Sequence, residues 1–178
     1  MTVSVKAPTS TTGSIQLNGS DVLTIDSSGN VTAPNKLIST GHVLQVVNAT
    51  YATVDSTTSS SYVDTGLSLS ITPSSASNKI LILVNINGLY SSSATVGQFA
   101  IANASDTTLL EFEGLTGYSL AAGDSYGETG TNYLHSPSTT SSYTYKIRFR
   151  NVAGTGISIN QKTTGVSTST ITLLEVAG

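Results

Sequence analysis

The stretch KILILVNINGLY, residues 79–90, constrains the fold more than any other part of the chain. Its β-branched residues, which share one side of an extended backbone, are Ile80, Ile82, Val84 and Ile86. The opposite side is apolar at Leu81 and Leu83 and polar at Asn85 and Asn87. The run is too short for a helix of this apolarity, and Pro73 before it marks a turn. The pattern predicts the central strand of a β-sandwich, with a second layer covering one face and the first half of the other.

The composition favours strands and turns over helices. Ser and Thr account for 57 of the 178 residues and Gly for 16. Thr favours strands, together with Val, Ile and Tyr, while Ser and Gly favour turns. No window of eleven or more residues keeps the i, i+3, i+4, i+7 apolar spacing of a helix face. The sequence therefore predicts an all-β fold.

The same composition excludes several classes of protein. The chain has no cysteine, which rules out disulfides, thiolate metal sites and cysteine nucleophiles. Its seven basic residues are scattered and do not make the positive surface that nucleic acid requires. No signal-peptide pattern and no apolar stretch of 18 residues occur. We expect neither nucleic acid nor a membrane as a partner. Because few charges protect strand edges, we expect another subunit to cover them.

Residues 1–36 differ in pattern from the rest of the chain and are predicted to form an arm of short β-hairpins. Two apolar runs, 15–17 and 22–25, are separated by the turn sequence Asn-Gly-Ser-Asp. Such hairpins do not bury enough surface to be stable alone. We expect the arm to dock on another protein, and the alternative is a tail that lies on its own domain. The predicted docking residues are Ile15, Leu17, Leu23 and Ile25.

Residues 37–41 form the predicted linker and residues 42–178 the predicted sandwich domain. About eight strands are expected there, at the spacing of a sandwich or jelly roll. Besides residues 79–90, the expected strands cover residues 43–47, 62–71, 98–102, 107–112, 143–150, 157–159 and 169–176. A loop is predicted at residues 51–61, and a long irregular excursion with one or two short strands at residues 114–137.

The strand at residues 143–150 is predicted to have an aromatic core face and a cationic outer face. Lys146, Arg148 and Arg150 share the outer face, where like charges at alternate positions repel one another. A partner strand or subunit is expected to supply carboxylates, with Glu111, Glu113 and Glu175 as candidates; a solvated face is the alternative. The apolar last strand is expected inside the sheet or at a subunit interface. The candidate residues of the core or of a trimer contact are Ile80, Ile82, Val84, Ile86, Tyr143, Ile147, Phe149 and Leu173.

Two patterns point weakly to chemistry. Ser125 lies in a G-x-S-x-G match with His135 nearby, but no helical pattern follows it, as an esterase elbow requires. Asp124 and Glu128, with two glutamates at 111 and 113, offer oxygens to a calcium ion, but their spacing fits no known calcium loop. His42 is far from His135 in sequence, and only three chains meeting on an axis would cluster one histidine from each. We therefore predict no catalytic residue, no metal site and no cofactor.

Three tyrosines of the irregular excursion are candidates for a surface that binds a partner: Tyr118, Tyr126 and Tyr133. Tyrosine offers a large contact area at a low cost in side-chain entropy. The alternative is that these side chains pack across a subunit interface.

Three segments together resemble a domain common in bacteriophage virion proteins: GHVLQVVNATY, SSSYVDTGLSLSITPSSASNKILILVNINGLY and STITLLEV. They lie within residues 41–176, and the most specific part is DTGLSLSITPSSASNKILI. IQLNGSDVLTIDSSGNV resembles the short β-repeats that precede such domains in phage fibres. The chain departs from a phage tail fibre in having neither a long shaft nor a recognisable adaptor.

The resemblance implies a trimeric jelly roll of the C1q and tumour-necrosis-factor type behind the N-terminal arm. It implies a non-enzymatic structural protein on the virion surface, assembled in the host cytoplasm. A capsid decoration or cement protein, docked by its arm on the major capsid protein or another virion protein, is the first hypothesis. A short tail or head fibre that binds a host-surface receptor, such as a cell-surface glycan, is the second. An esterase-like or glycan-active enzyme using Ser125 is the third.

Overall fold

A computed structural model describes residues 3–6, 13–17, 20–25, 28, 31–32, 40–92, 95–116 and 125–178. The chain divides into two compact units, Met1–Ser39 and Thr40–Gly178. No described segment forms a helix that is both long and apolar enough to span a membrane.

In the first unit, the described residues form a four-stranded antiparallel sheet in the order β1-β2-β3-β4. Its strands are β1 (Val3–Lys6), β2 (Gly13–Leu17), β3 (Ser20–Ile25) and β4 (Val31–Thr32). The two apolar runs of the sequence lie in β2 and β3, which pair in antiparallel register. The first strand, β1, lies in a Ser/Thr/Pro-rich segment that showed no strand pattern.

The described residues of the second unit form ten strands in two antiparallel sheets. In chain order they are β5 (Val43–Tyr51), β6 (Asp55–Thr57), β7 (Val63–Ile71), β8 (Lys79–Ser91), β9 (Thr95–Asn103), β10 (Thr108–Thr116), β11 (Ser125–His135), β12 (Tyr143–Ala153), β13 (Ile157–Ile159) and β14 (Ser169–Val176). The four-stranded sheet has the order β10-β9-β12-β7. The six-stranded sheet has the order β5-β14-β8-β13-β6, and β11 pairs with β8 along the edge opposite β14.

The eight longer strands of this unit follow the strand order of a jelly roll. The first and last of them, β5 and β14, are neighbours beside β8 and β11 in one sheet. The second and second-last, β7 and β12, are neighbours beside β9 and β10 in the other. Nested pairs of this kind, divided between two packed sheets, define the jelly roll. The predicted all-β jelly-roll sandwich is confirmed.

The core lies between the two sheets and uses one face of β8. Ile80, Ile82 and Ile86 are fully buried, and Val84 nearly so. Their counterparts in the four-stranded sheet are mainly aromatic, and include Phe99, Tyr145, Ile147 and Phe149, all fully buried. The rings of Phe99 and Phe149 stack with their centroids 6.1 Å apart. Burying side chains of this size stabilises the fold by about 1.5–3 kcal/mol each.

The opposite face of β8 differs from the prediction. Leu81 and Leu83 were expected to lie beneath a second layer, but Leu81 is half-buried and Leu83 is 40% exposed. Within the described residues, no layer of this chain covers them, because the second sheet packs against the other face. An apolar strand face predicts only that something covers it, not that the same chain does.

The last strand, β14, lies inside the six-stranded sheet between β5 and β8. It carries Glu175, whose side chain is buried at one end of the core. The carboxylate accepts hydrogen bonds from Gln45 Nε2 (2.6 Å), from Ser74 N and Oγ (2.6 and 2.8 Å) and from Asn78 Nδ2 (2.5 Å). Burial alone would raise the pKa of Glu175, but these hydrogen bonds outweigh it and lower the pKa to about 2. The turn at residues 73–78 is thereby anchored to the C-terminal strand.

Two segments contain more strand than the sequence pattern predicted. Residues 51–61 include the short strand β6, which pairs with β13. The irregular excursion at residues 114–137 holds β11, an eleven-residue strand that pairs with β8 along most of its length. The sequence of β11, SYGETGTNYLH, lacks the apolar alternation of a strand with one buried face. Its conformation depends on backbone pairing with β8.

Candidate assembly surface

One row of apolar side chains crosses the outer face of the six-stranded sheet. Val46, Leu174, Leu81 and Leu134 are successive cross-strand partners in β5, β14, β8 and β11. We refer to these four residues as the apolar row. Val46 is 57% exposed and Leu134 is 49% exposed, while the two central leucines are half-buried. Since neighbouring strands lie about 4.8 Å apart, the row spans about 15 Å.

Further apolar side chains extend the row on both sides. Val43, which is 52% exposed, pairs with Val176 next to one side of the row. Leu83 pairs with Thr172 on the other side. Beyond these residues the face turns polar, and Asn48 Nδ2 donates a hydrogen bond to Thr172 Oγ1 (2.8 Å). A contiguous exposed apolar patch with a polar border is typical of a protein–protein contact surface.

The outer face of the four-stranded sheet is charged instead of apolar. Lys146 Nζ lies 2.9 Å from Asp64 Oδ2 and also contacts Asp106. Arg148 Nε lies 2.9 Å from Asp64 Oδ1, and its Nη2 lies 3.6 Å from Asp106 Oδ2. The hydrogen bond from Lys146 lowers the pKa of Asp106. The hydrogen bonds to Asp106 and Asp64 raise the pKa of Lys146. Lys146 and Arg148 of β12 are therefore neutralised within one chain.

Glu111 and Glu113 lie on this outer face as expected, but the carboxylates that pair with Lys146 and Arg148 are others. Asp64 and Asp106 pair with the cations, whereas Glu175 is buried at the end of the core. Arg150 donates to Gln98 Oε1 through Nε (2.9 Å), and its guanidinium carbon lies 4.6 Å from the ring centroid of Tyr62. Burial raises the pKa of Tyr62 to about 12, and a hydrogen bond with Glu111 adds to the effect. Like charges at alternate positions correctly indicated a need for partners, but not which strand supplies them.

The candidate core and trimer residues all lie in the sandwich, and all but one are buried. Tyr143 is half-buried, at the start of β12. The fully or nearly buried ones are Ile80, Ile82, Val84, Ile86, Ile147, Phe149 and Leu173. Side chains buried inside one chain do not reach a second chain. A trimer contact of this sheet would therefore be made by the exposed residues of the apolar row and not by these.

The candidate docking residues of the arm lie in β2 and β3. Ile15 pairs with Leu23, and both side chains are half-buried. Leu17 and Ile25 lie at the ends of the same strand pair, opposite Ser20 and Gly13. Docking of the arm stays a prediction.

The structure does not bring Tyr126 and Tyr133 together, because they lie seven residues apart along β11. Tyr126 is 44% exposed and lies beside Tyr90, with ring centroids 5.1 Å apart. Tyr133 is half-buried, opposite Ile82, and its ring stacks on His135 at 6.0 Å. Tyr118 lies outside the described residues. The role of these side chains in binding stays a prediction.

The serine and histidine of the G-x-S-x-G match are the first and last residues of β11. At the rise of an extended strand their Cα atoms are about 30 Å apart, so Ser125 and His135 do not form a catalytic pair. His135 Nδ1 instead lies 2.9 Å from Tyr145 Oη. Burial lowers the pKa of His135 and raises that of Tyr145, where nearby Tyr143 and Tyr133 add to the shift.

The calcium hypothesis gains no support from the described part of the chain. There, no group of three or more histidine, aspartate or glutamate side chains is close enough to hold a metal ion. Asp124 lies outside this part, so the set with Glu128 is only partly described. His42 lies before β5, where its carbonyl oxygen accepts a hydrogen bond from Ala177 N (2.8 Å).

No protein-family model and no curated protein matches the chain. Among solved structures, the VP2 subviral particle of infectious bursal disease virus aligns with a TM-score of 0.44 and 12% identity. The alignment covers 94% of this chain and 42% of that protein. The Gx strain of the same virus aligns with a TM-score of 0.41 and 14% identity, over 94% and 41% of the two chains. TM-scores below 0.5 do not establish a shared fold, so the jelly-roll assignment rests on the strand order of the two sheets.

Proposed function

We propose that the chain is a non-enzymatic structural protein of a bacteriophage virion, and that it forms a homotrimer through the outer face of its six-stranded sheet. The observation that supports assembly is the apolar row, which is exposed in the single chain. Val46 and Leu134, at its two ends, would leave water when a second copy covers the row. The trimeric state and the phage virion location come from the resemblance of residues 41–176 to virion domains.

Within the virion, we assign the protein to the capsid surface as a decoration or cement protein. The strands of the first unit then dock on the major capsid protein or another virion protein, while the jelly roll carries the contacts between copies. The described residues of the first unit form a small four-stranded sheet, in which the paired Ile15 and Leu23 are only half-buried. Apolar side chains left half-buried in so small a sheet favour a further contact.

The assembly state is tested by sedimentation equilibrium of the whole chain at micromolar concentration. A trimer would have three times the chain mass of 18.2 kDa. Interfaces of obligate assemblies bury roughly 2,000 Å² or more, so dissociation is not expected at this concentration. A species of one chain mass would contradict the proposal.

The docking role is tested by deleting residues 1–36 and adding the shortened protein to particles that lack the parent. We expect the thermal stability of the assembled jelly roll to be nearly unchanged and incorporation to be lost. Incorporation at the normal copy number would contradict the docking role. Microscopy of intact particles then distinguishes a capsid position from a tail position.

The alternative function is a short tail or head fibre that binds a receptor on the host. It is favoured by the fibre-like sequence of residues 15–31 and by a polar groove beside Tyr126. Microscopy that places the protein at a tail tip would decide for this alternative.

A further inference from the structure

A groove of about 620 Å³ opens where the end of β8 and the start of β11 face the loop between β13 and β14. Its lining includes Asn87, Tyr126, Glu128, Gln161, Lys162 and Thr168. We refer to it as the β8–β11 groove. Pockets that hold small ligands occupy about 300–1,000 Å³, so this volume suits one or two sugar rings.

The groove has an aromatic wall. Tyr126 lines it, and 44% of its surface is exposed. Tyr90, the cross-strand partner of Tyr126, supports this ring at a centroid distance of 5.1 Å. An exposed tyrosine presents an apolar ring face with a polar tip. The C–H face of a pyranose ring matches such a surface.

The remaining lining is polar and carries both donors and acceptors of hydrogen bonds. Asn87 and Gln161 contribute amides, and Thr168 adds a hydroxyl. Glu128 and Lys162 are both exposed and bring one charge of each sign. A phosphate ligand would need an excess of positive charge and a lipid would need an apolar lining. Sugar hydroxyls both donate and accept, so the lining fits a carbohydrate.

The loop wall of the groove is fixed by buried hydrogen bonds. Asn160 is fully buried and has a positive φ of 57°. Its Nδ2 donates to Thr53 O (2.8 Å), and its Oδ1 accepts from Ser169 Oγ (2.6 Å). Gln161 N donates to Gly88 O (2.9 Å), and Asn87 Nδ2 donates to Thr168 O (2.7 Å). These contacts join the loop to the sheet.

Gly88 allows this close approach of loop and strand. Its φ is 60°, and a Cβ atom at this position would lie 2.3 Å from Gln161 O. A side chain at residue 88 would therefore push the loop away from β8. Because the walls are held before a ligand arrives, binding needs little ordering of the protein.

We infer that the β8–β11 groove binds a carbohydrate, with a pyranose ring against Tyr126 and its hydroxyls on Asn87, Gln161 and Glu128. The inference deepens the receptor-binding alternative by naming a site and a ligand class, and it does not depend on trimer formation. The groove is formed within one chain. Asn87 in β8 and Glu128 in β11 each lie six residues along the strand from the apolar row, so about 20 Å separates these lining residues from it.

The test uses the whole chain on an array of bacterial and animal oligosaccharides, and each bound oligosaccharide is then titrated by NMR. We expect at least one to bind. Tyr126→Ala should raise its Kd about tenfold through loss of the ring contact, while Tyr126→Phe, which keeps the ring, should stay within about threefold. Glu128→Gln, at an exposed position, should weaken binding without affecting the fold.

Val152→Ala, an exposed substitution on β12, is the matched control and should bind like the parent. Binding should also persist in the monomeric variant Leu134→Asp. The carbohydrate inference therefore does not depend on the outcome of the assembly test. Absence of binding to every oligosaccharide on the array would overturn the inference. Binding that survives both Tyr126→Ala and Glu128→Gln unchanged would overturn it as well.

Discussion

The two outer faces of the sandwich belong to sheets of similar size but differ in how they meet their surroundings. On the four-stranded sheet, Lys146 and Arg148 pair with Asp64 and Asp106, and the long side chains on this face leave small neighbours such as Ala100 fully buried. On the six-stranded sheet, the short aliphatic side chains at the ends of the apolar row stay exposed. The charges of the four-stranded sheet find partners within the chain, whereas no described residue of the second unit covers the apolar row.

This difference suggests a rule: the sheet face whose side chains find no polar partners within the described part of the chain is the face expected to meet another copy. Covering an ion pair with a neighbouring protein removes its water, and this desolvation costs free energy. Covering the apolar row instead lowers the free energy, because apolar surface leaves water. The apolar face is therefore the side expected to meet another copy, and substitutions on each face test this expectation.

The largest effect is expected from a charge in the apolar row. Leu134→Asp should fold, because residue 134 is 49% exposed in the single chain. In a trimer it would bury three unpaired carboxylates at several kcal/mol each, or about 10 kcal/mol in total. We expect sedimentation equilibrium to show a monomer. Ser68→Asp, opposite Lys146 on the charged face, is the control and should leave the parent mass unchanged. A trimer of Leu134→Asp as tight as the parent would place the interface elsewhere.

The two faces of β8 are compared by substituting neighbouring residues in the monomeric Leu134→Asp background. Ile82→Ala removes methylenes from the fully buried face and leaves a cavity, which should cost about 2–5 kcal/mol of the free energy of unfolding. Leu83→Ala, on the 40% exposed face, should cost less than about 1 kcal/mol. Denaturant unfolding measures both. Equal losses would mean that the outer face of β8 is also part of the core.

The buried carboxylate of Glu175 gives a smaller effect that depends on pH. Its pKa is about 2 in the folded chain against an ordinary value of 4.5, so ionised Glu175 stabilises the fold above pH 4.5. This contribution is lost as the pH falls towards 2. Glu175→Gln should cost about 2–3 kcal/mol at pH 7, and the difference from the parent should shrink between pH 4.5 and 2.

Denaturant unfolding at a series of pH values measures this dependence. Glu113→Gln, an exposed glutamate of β10, is the control and should change stability by less than about 0.5 kcal/mol. A constant difference between Glu175→Gln and the parent over this pH range would mean that folding does not lower the pKa of Glu175.

The smallest effect is expected on the charged face. Asp64→Asn removes a partner of Lys146 and Arg148, but the aspartate side chain is 48% exposed. Water screens such pairs, so Asp64→Asn should lower the free energy of unfolding by about 1 kcal/mol or less. The difference from the parent should vanish in about 1 M salt. Thermal unfolding at low and high salt measures it. A loss comparable to that of Ile82→Ala would mean that this face is buried in an assembly.

Much of the sandwich was predictable because strand faces are encoded by local alternation. The inward positions of residues 79–86, the strand ending at Val176 and the aromatic face of β12 are all explained by period-two spacing. The apolar row was partly predictable too, since residues 43–47 and 79–83 carry apolar side chains on both sides of the strand. Leu134 was not predictable as part of it, because β11 shows no such spacing.

The sequence by itself determined the all-β class, the central strand and the residues that fill the core, because a side chain's face in a strand depends only on its near neighbours. The tertiary structure decided which strands pair and which side chains contact one another. The pairing of β11 with β8, the choice of Asp64 and Asp106 as counter-ions, and the closing of a groove between Asn87 and Gln161 all depend on register between segments far apart in the chain. Register across such distances is determined by the packing of the whole sandwich, which no local pattern contains.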